Sequence, residues 1–302
     1  MSITVPPTVS VVIPAHDAER TLGAVLAALM EQSAPPDEVI VVDDASTDAT
    51  AELAARVGAT VVRNEQPLFA GGARNRGWEA ASGDVVCFLD SDAIPQPGWG
   101  AGLREALAEF PGALVGCART FEGHTPWGWV AHLQIETPYL PRGEPRRVAF
   151  LSSYCLAVPR DAPMRFDSSY GGEDGVFSAD ALAAGYELVF DPRYHAFHDH
   201  ARETYGELRR QQQRLAYGLA RIGSIQREGV HKRILARVPL HYFALVRLLF
   251  ISRRLSDEPK LRAQFRRNLP RMIVAEWTLG SSALRYAIRR PPLRGTAEAK
   301  FR

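Results

Sequence analysis

Residues 84–92 read Asp84-Val85-Val86-Cys87-Phe88-Leu89-Asp90-Ser91-Asp92. Five apolar residues run straight into two carboxylates one residue apart. The run has the length of an interior strand covered on both faces. A strand that ends in Asp-x-Asp puts hard oxygen ligands at the carboxyl edge of a sheet, where open α/β folds bind their ligands. Oxygen donors suit Mg2+ or Mn2+, and those ions usually share their coordination with substrate phosphates. With 15 aspartates in the chain, one such pair is close to what chance supplies. The triplet draws its meaning from its place after a strand and from what precedes it.

Strands and helices alternate from the start of the chain. Residues 9–14 (Val-Ser-Val-Val-Ile-Pro) read as a strand stopped by proline, and residues 21–32 have helical spacing through Leu22, Val25, Leu26 and Leu29. Residues 39–42 form a second apolar run, ending in Asp43-Asp44. Ala45-Ser46-Thr47-Asp48 is rich in capping residues, and a helix over 49–57 follows, stopped by Gly58. Residues 60–63 read as a third strand. Gly71-Gly72 opens a helix through residue 81, and 85–89 is the fourth strand. Further on, 103–110 reads as a helix, 113–118 and 152–158 as strands, and 176–184 as a helix closed by Gly185. A short strand over 188–190 leads into His195, His198 and His200. This alternation implies right-handed crossovers and an α/β fold, a mostly parallel sheet flanked by helices. Residues 119–148 lack clean periodicity and hold Trp127, Trp129, Tyr139, four prolines and several arginines. That composition suits either a substrate-facing excursion or an ordinary surface connection.

The net charge of +2 conceals a split. Residues 1–201 carry 13 arginines and no lysine against 27 acidic side chains, a net of −14. Residues 202–302 hold 23 basic against 7 acidic side chains, a net of +16. We therefore expect a domain over 1–201 and a basic helical region over 202–302. The acidic part tolerates a cation site. The basic part suits an anionic partner: nucleic acid, a phospholipid surface, or the acidic part of the same chain. Thr204-x-x-Glu207 is a capping box that opens a long helix to about residue 227. Two apolar stretches follow. The first, 240–251, is interrupted by His241 and Arg247, and the second, 272–288, by Glu276 and Arg285. Neither has the length and apolarity of a spanning helix. Both are amphipathic, as helices that lie on an anionic membrane surface are.

Cys87, Cys117 and Cys155 are scattered and odd in number. They read as buried thiols in a reducing compartment, not as a disulfide or zinc framework. Residues 1–7 lack a basic segment and a long apolar segment, so no signal peptide is expected. A cytoplasmic protein, peripheral at the inner face of the membrane, is the expected setting.

Four segments of residues 1–92 carry polar groups expected at strand ends: Pro14-Ala15-His16-Asp17, Asp43-Asp44-Ala45-Ser46, Arg74-Asn75 and Asp90-Ser91-Asp92. In a parallel sheet such ends lie side by side along one edge. Carboxylates there can bond a base N–H and ribose hydroxyls, arginine can meet phosphate or base oxygens, and the Asp-x-Asp pair can hold a cation on a diphosphate. No Gly-x-Gly-x-x-Gly or Walker loop is present, so charge neutralisation falls to a metal and to basic side chains.

Val-Val-Ile-Pro-Ala-His-Asp (11–17), Val-Ile-Val-Val-Asp-Asp-Ala-Ser-Thr-Asp (39–48), Gly-Gly-Ala-Arg-Asn-Arg-Gly (71–77) and Phe-Leu-Asp-Ser-Asp (88–92) resemble the successive motifs of family 2 glycosyltransferases with the GT-A fold. Arg165-Phe166-Asp167, Gly172-Glu173-Asp174, Ala184-Gly185-Tyr186-Glu187-Leu188 and Asp191-Pro192 up to His198 are similar to that family's acceptor-side pattern. The resemblance covers about residues 8–220. It implies a nucleotide-sugar half over about 8–118 and an acceptor half over 119–201. It further implies that Asp44 contacts the base, that Pro14, Asp17 and Arg74 help hold the nucleotide, and that Asp90 sits near the ribose. Asp92 would ligate the metal, Mn2+ or Mg2+, and Asp174 would be the general base of an inverting transfer. A histidine after the last strand would complete the metal site. His198 and His200 share one face of an extended segment, so either can serve.

The chain departs from the pattern at three places. His16 and Asp17 stand where the family usually has a tyrosine-like residue and often an asparagine, and Asp180 where many members have arginine. Gln211-Gln212-Gln213-Arg214-Leu215 lacks the tryptophan of the Gln-x-x-Arg-Trp signature of processive synthases, which favours single transfers. The expected partners are a nucleotide-sugar donor and a glycan, lipid-linked or small-molecule acceptor of the cell envelope, with an anionic membrane surface as a further candidate and no nucleic acid. Two other readings compete. A nucleotidyltransferase-like enzyme would normally show a basic, Gly-rich phosphate loop early in the chain. A non-catalytic nucleotide-sugar-binding protein would lack the base.

Overall fold

The apolar runs become strands, with Val9–Ala15 and Val85–Leu89 buried along nearly their whole length and Thr60–Arg63 partly exposed at the edge of the sheet, and their ends set out the polar groups. In the computed structural model, which describes residues 6–168, 171–200, 202–225 and 240–289, β1 (Val9–Ala15), β2 (Glu38–Asp43), β3 (Thr60–Arg63) and β4 (Val85–Leu89) run parallel in the order β3-β2-β1-β4. The reading of residues 1–5, and of the helix end at 226–227, lies outside the described residues.

Helices α1 (Glu19–Met30), α2 (Thr50–Arg56), α3 (Phe69–Ala80) and α4 (Trp99–Glu109) connect or follow these strands. The expected stripe Leu22, Val25, Leu26 and Leu29 is the buried face of α1. Helix α3 lies unusually close to the sheet. A Cβ at Gly77 would sit 2.2 Å from Val12 Cγ1 and 2.9 Å from Val42 Cγ2, so only glycine admits this approach.

Beyond β4 the sheet becomes mixed. β8 (Cys155–Pro159) pairs antiparallel with β4 and with β6 (Leu114–Thr120), and β6 pairs parallel with β9 (Leu188–His198). Short β5 (Ala93–Pro95) and β7 (Arg146–Arg147) add antiparallel to β9. Strand β9 is longer than the residues 188–190 expected from sequence. Its register breaks opposite Cys117 and Ala118 and then resumes, carrying the strand on to His198. Helix α6 (Glu173–Ala183) precedes it.

The chain divides into two compact units, residues 1–120 with 141–199, and residues 121–140 with 200–302. The second unit is helical: α5 (Pro126–Glu136), α7 (Tyr205–Ile225), α8 (Leu240–Arg254), α9 (Pro259–Arg267) and α10 (Leu269–Arg289). Helix α5 starts with the Thr125 hydroxyl accepting from Gly128 N–H and with Pro126 in its first turn. It is buried on nearly every side, so it has no amphipathic stripe to betray it in the sequence. Trp129, Leu133, Leu208, Ile251, Phe265 and Met272 form the core of this unit.

A buried polar network runs through that core. Arg247 Nε lies 2.7 Å from Glu276 Oε2, Gln134 Nε2 donates to Glu276 Oε1 at 2.8 Å, and Gln212 Nε2 donates to Gln134 Oε1 at 2.6 Å. Arg247 and Glu276, two of the charges that interrupt the apolar stretches, are therefore partners that tie α8 to α10. No helix among the described residues is long and apolar enough to cross a membrane.

Candidate functional site

The first unit brings the strand-end carboxylates to one edge. Ala15 pairs with Asp43 in register, and Asp44 N–H donates to Ala15 C=O at 2.8 Å. Asp44 is buried, and its Oδ1 accepts from Asn64 Nδ2 and from Leu68 N–H, both at 2.8 Å. His16 Nδ1–H donates to the Asp44 carbonyl at 2.8 Å, which places the proton on Nδ1. Asp17 holds a left-handed backbone at φ 48°. Its N–H donates to Ser46 Oγ at 3.0 Å and its Oδ1 accepts from Thr47 N–H at 2.8 Å. Pro14 lies one residue before the end of β1, paired with Val42. Beside Asp44, a recess of about 370 Å3 is lined by Ala45, Ser46, Arg63, Asn64 and Glu65.

Arg74 sits in the second turn of α3 rather than at a strand end, and it joins the two halves of the first unit. It is 3% exposed. Its Nη2 donates to Asp90 Oδ1 at 2.7 Å, and its Nη1 lies 3.5 Å from Glu173 Oε1. Burial opposes its charge, but Asp90, Asp174 and Glu173 outweigh that cost and raise the guanidinium above its ordinary value. Asn75 pins the segment ahead of α6: it donates to Phe166 C=O at 2.8 Å and accepts from Phe166 N–H at 3.0 Å. The chain passes so close there that a Cβ at Gly71 would lie 2.1 Å from Asp167 O.

Glu173 and Asp174 occupy the first turn of α6, after Gly172 at φ 80°. Asp174 accepts from two serine hydroxyls, Ser153 on Oδ1 and Ser152 on Oδ2, the latter at 3.3 Å. Neither serine belongs to a motif, and nothing in the sequence marks them. Asp92 Oδ2 lies 3.5 Å from His198 Nε2. The pairing of β5 with β9, with Ala93 opposite His198, brings them together, and Asp199 N–H donates to Asp92 C=O at 2.9 Å. Tyr154 packs against the His198 ring at 4.8 Å. His195 lies within β9, and burial lowers its imidazole pKa. His200 belongs to the second unit, where its ring stacks on His132. Gln212, in the partial Gln-x-x-Arg match, is buried in the polar network of that unit.

The family whose sequence model matches this chain is described as Glycosyl transferase family 2, over residues 10–167. The chain belongs to this family. Its fold is the GT-A fold. A mannosyltransferase of Pyrobaculum calidifontis, PcManGT, solved with GDP-Man and Mn2+, superposes with a TM-score of 0.62 at 21% identity, over 94% of this chain and 88% of that one. The glucosyl-3-phosphoglycerate synthase of Mycobacterium tuberculosis, solved with Mn2+, UDP and phosphoglyceric acid, gives 0.51 at 27% identity, over 72% and 78%. In sequence, the amylovoran biosynthesis glycosyltransferase AmsB of Erwinia amylovora is 43% identical over 90 residues, 28% of this chain and 30% of that protein. The match thus spans less than a third of AmsB's length. The family match takes in Asp17, Asp44, Arg74, Asp90 and Asp92 and stops before Asp174 and His198.

Proposed function

We propose that this family 2 member transfers a sugar from a nucleotide-diphosphate donor to an acceptor hydroxyl by a metal-assisted inverting displacement. The observation that carries the reading is the buried Arg74 cluster. One guanidinium bridges Asp90, at the end of the donor-side strand, to the helix start that presents Asp174. Asp44, with Asn64 beside it, faces the base, and Asp17 and Pro14 border the nucleotide. Arg74 fixes Asp90 toward the ribose. The similarity to a synthase solved with UDP and Mn2+ supports a nucleotide diphosphate and a divalent cation.

The residues fit such a cation. Asp92 and His198 converge to 3.5 Å, and ligand atoms at right angles around an octahedral Mg2+ or Mn2+ lie roughly 3 Å apart. When bound there, the metal would act as a Lewis acid on the departing diphosphate. Asp174 takes the proton from the acceptor hydroxyl as its oxygen attacks the anomeric carbon. The anomeric C–O bond to the diphosphate breaks, and its electron pair leaves on the oxygen of the departing nucleoside diphosphate. The hydroxyls of Ser152 and Ser153 fix the orientation of Asp174, and each carboxylate oxygen keeps a lone pair for the acceptor proton.

The test is Asp174→Asn. Donor binding, read by thermal shift with UDP-, GDP- and dTDP-sugars and Mn2+, should persist. Turnover should fall by roughly two to four decades. Wild-type turnover in this variant, or loss of donor binding as its only defect, would remove Asp174 from the base role.

We further place the acceptor in cell-envelope glycan or glycolipid synthesis and the protein at the inner face of the membrane. Leu245, Val246, Leu249 and Phe250 on α8, and Ile273, Val274, Trp277 and Leu284 on α10, are each 44% to 56% exposed. Arg253, Arg254, Arg266, Arg267 and Arg271 lie on the same helices or on α9 between them. Apolar side chains with a basic rim suit an anionic bilayer surface. Full-length protein should float with anionic vesicles at low salt and detach at high salt as headgroup attraction is screened. Protein that stays soluble at low salt would assign these helices to a different partner.

A further inference from the structure

Three metal-ligating side chains converge in the second unit, and no step proposed above uses them. His132 and Glu136 are four residues apart on α5, so both lie on one face of the helix. His200 comes to them from just beyond β9. All three are buried, and one ligand atom of each lies within 4.8 Å of the other two. His132 is sandwiched. Phe121 stacks on one face, with ring centroids 5.0 Å apart and planes 8° from parallel, and His200 stacks on the other at 3.7 Å and 11°.

From this convergence we propose that His132, Glu136 and His200 form a second metal site, selective for Zn2+ rather than for Mg2+ or Mn2+. Two imidazoles and one carboxylate are a borderline donor set that favours Zn2+ or Co2+. That distinguishes the site from the oxygen-rich Asp90, Asp92 and His198 edge. One buried carboxylate also leaves a compact divalent cation with a single countercharge, tolerable where the neutral imidazoles complete the shell. Tetrahedral Zn2+ places its ligand atoms roughly 3.4 Å apart, so atoms within 4.8 Å of one another need to close by up to about 1.4 Å. The parallel rings set the path. His200 turns about its Cβ–Cγ bond, a torsion with a broad minimum, so that its nitrogen lone pair points at the ion. In turning it gives up the 3.2 Å bond that its Nδ1 accepts from Arg202 N–H. The three protein ligands leave the fourth position to water.

The experiment uses the full chain, dialysed against chelator and then titrated with Zn2+, or with Co2+ as an optical probe. Bound metal is counted by mass spectrometry and thermal unfolding is followed in parallel. The expected wild-type result is one Zn2+ per chain that survives gel filtration, a raised melting temperature, and visible d–d absorption with Co2+. His132→Phe keeps a ring between Phe121 and His200 but removes the nitrogens. Glu136→Gln keeps the shape but removes the charge. Each should lower Zn2+ affinity by on the order of 100-fold or more, while Asp92→Asn retains the Zn2+. The proposal is overturned if the wild-type chain holds no Zn2+ after gel filtration, or if the retained Zn2+ is lost in Asp92→Asn and kept in His132→Phe. The wild-type count alone decides if either cluster variant fails to fold.

Discussion

Each unit carries an arginine paired with a carboxylate, and the two pairs differ in who can reach them. In the first unit Arg74 is buried, but the Asp90 it holds is 30% exposed at the sheet edge, and Asp92 beside it is 27% exposed. In the second unit Arg247 is 32% exposed, while Glu276 is fully buried among Gln134 and Gln212. A buried cation that presents carboxylates to solvent is an arrangement for binding. A buried carboxylate closed over by amides and an arginine is an arrangement for holding helices together. Removing a partner from such a network leaves a buried polar group unpaired, which is costly.

The largest expected effect breaks the second of these. Arg247→Ala leaves the Glu276 charge buried without its cation, which typically costs about 3–5 kcal/mol. Urea unfolding of the variant should show that loss. The double change Arg247→Leu with Glu276→Gln should recover much of it, because it removes the buried charge and leaves a carbonyl oxygen to accept from Gln134 Nε2. A loss under about 1 kcal/mol in the single variant would mean that water reaches Glu276 and that the network is not what ties α8 to α10.

The matching change in the first unit should separate activity from stability. Asp92→Asn keeps the shape of a partly exposed side chain, so unfolding free energy should move by no more than about 0.5 kcal/mol. Metal-dependent donor binding and turnover should fall about 100-fold, at least what is lost when an outer partner of a metal ligand is removed. Unchanged metal dependence in the folded variant would transfer the ligand role away from Asp92. Stability loss comparable to that of Arg247→Ala would erase the contrast between the units.

The contrast also separates what was legible in the sequence from what was not. In the first unit β1, β2 and β4 hold continuous apolar runs that end in polar residues, so their order and the edge bearing Asp17, Asp44, Asp90 and Asp92 could be read directly, whereas β7 is Arg146-Arg147 and β9 is interrupted by Asp191, Arg193 and His195. Parallel pairing follows from alternation, but the antiparallel entry of β8 between β4 and β6 does not, because a strand buried on both faces looks the same in either direction. Ser152 and Ser153 reach Asp174 only through tertiary folding, and a serine outside a motif carries no signal. In the second unit, α5 leaves no signal in the sequence because a helix buried on nearly every side has no apolar stripe. The cluster of His132, Glu136 and His200 joins residues more than sixty positions apart. Arg247 and Glu276 were visible as interruptions, yet their pairing was not.

The smallest effect lies where the sequence spoke most plainly. The expected capping box is present at the start of α7. Glu207 Oε2 accepts from Thr204 N–H and Oγ–H, each at 2.8 Å, and from Glu203 N–H at 2.9 Å. The bond from the Thr204 hydroxyl, reinforced by these backbone donors, holds the Glu207 carboxyl below its ordinary value of 4.5. A carboxylate whose pKa is lower in the folded chain stabilises it above the unfolded pKa, and that contribution fades as pH falls through the folded value. Glu207→Gln should therefore cost about 0.5–1 kcal/mol near neutral pH. The gap between wild type and variant should narrow as the pH falls below the unfolded value of about 4.3 and close only below the depressed folded value, where both side chains are uncharged. Parallel denaturation series at several pH values read this directly. The absence of any gap would assign the cap to the hydroxyl of Thr204 alone. The helix entry would then rest on a neutral hydrogen bond, while the charges of the second unit do their work in its buried network.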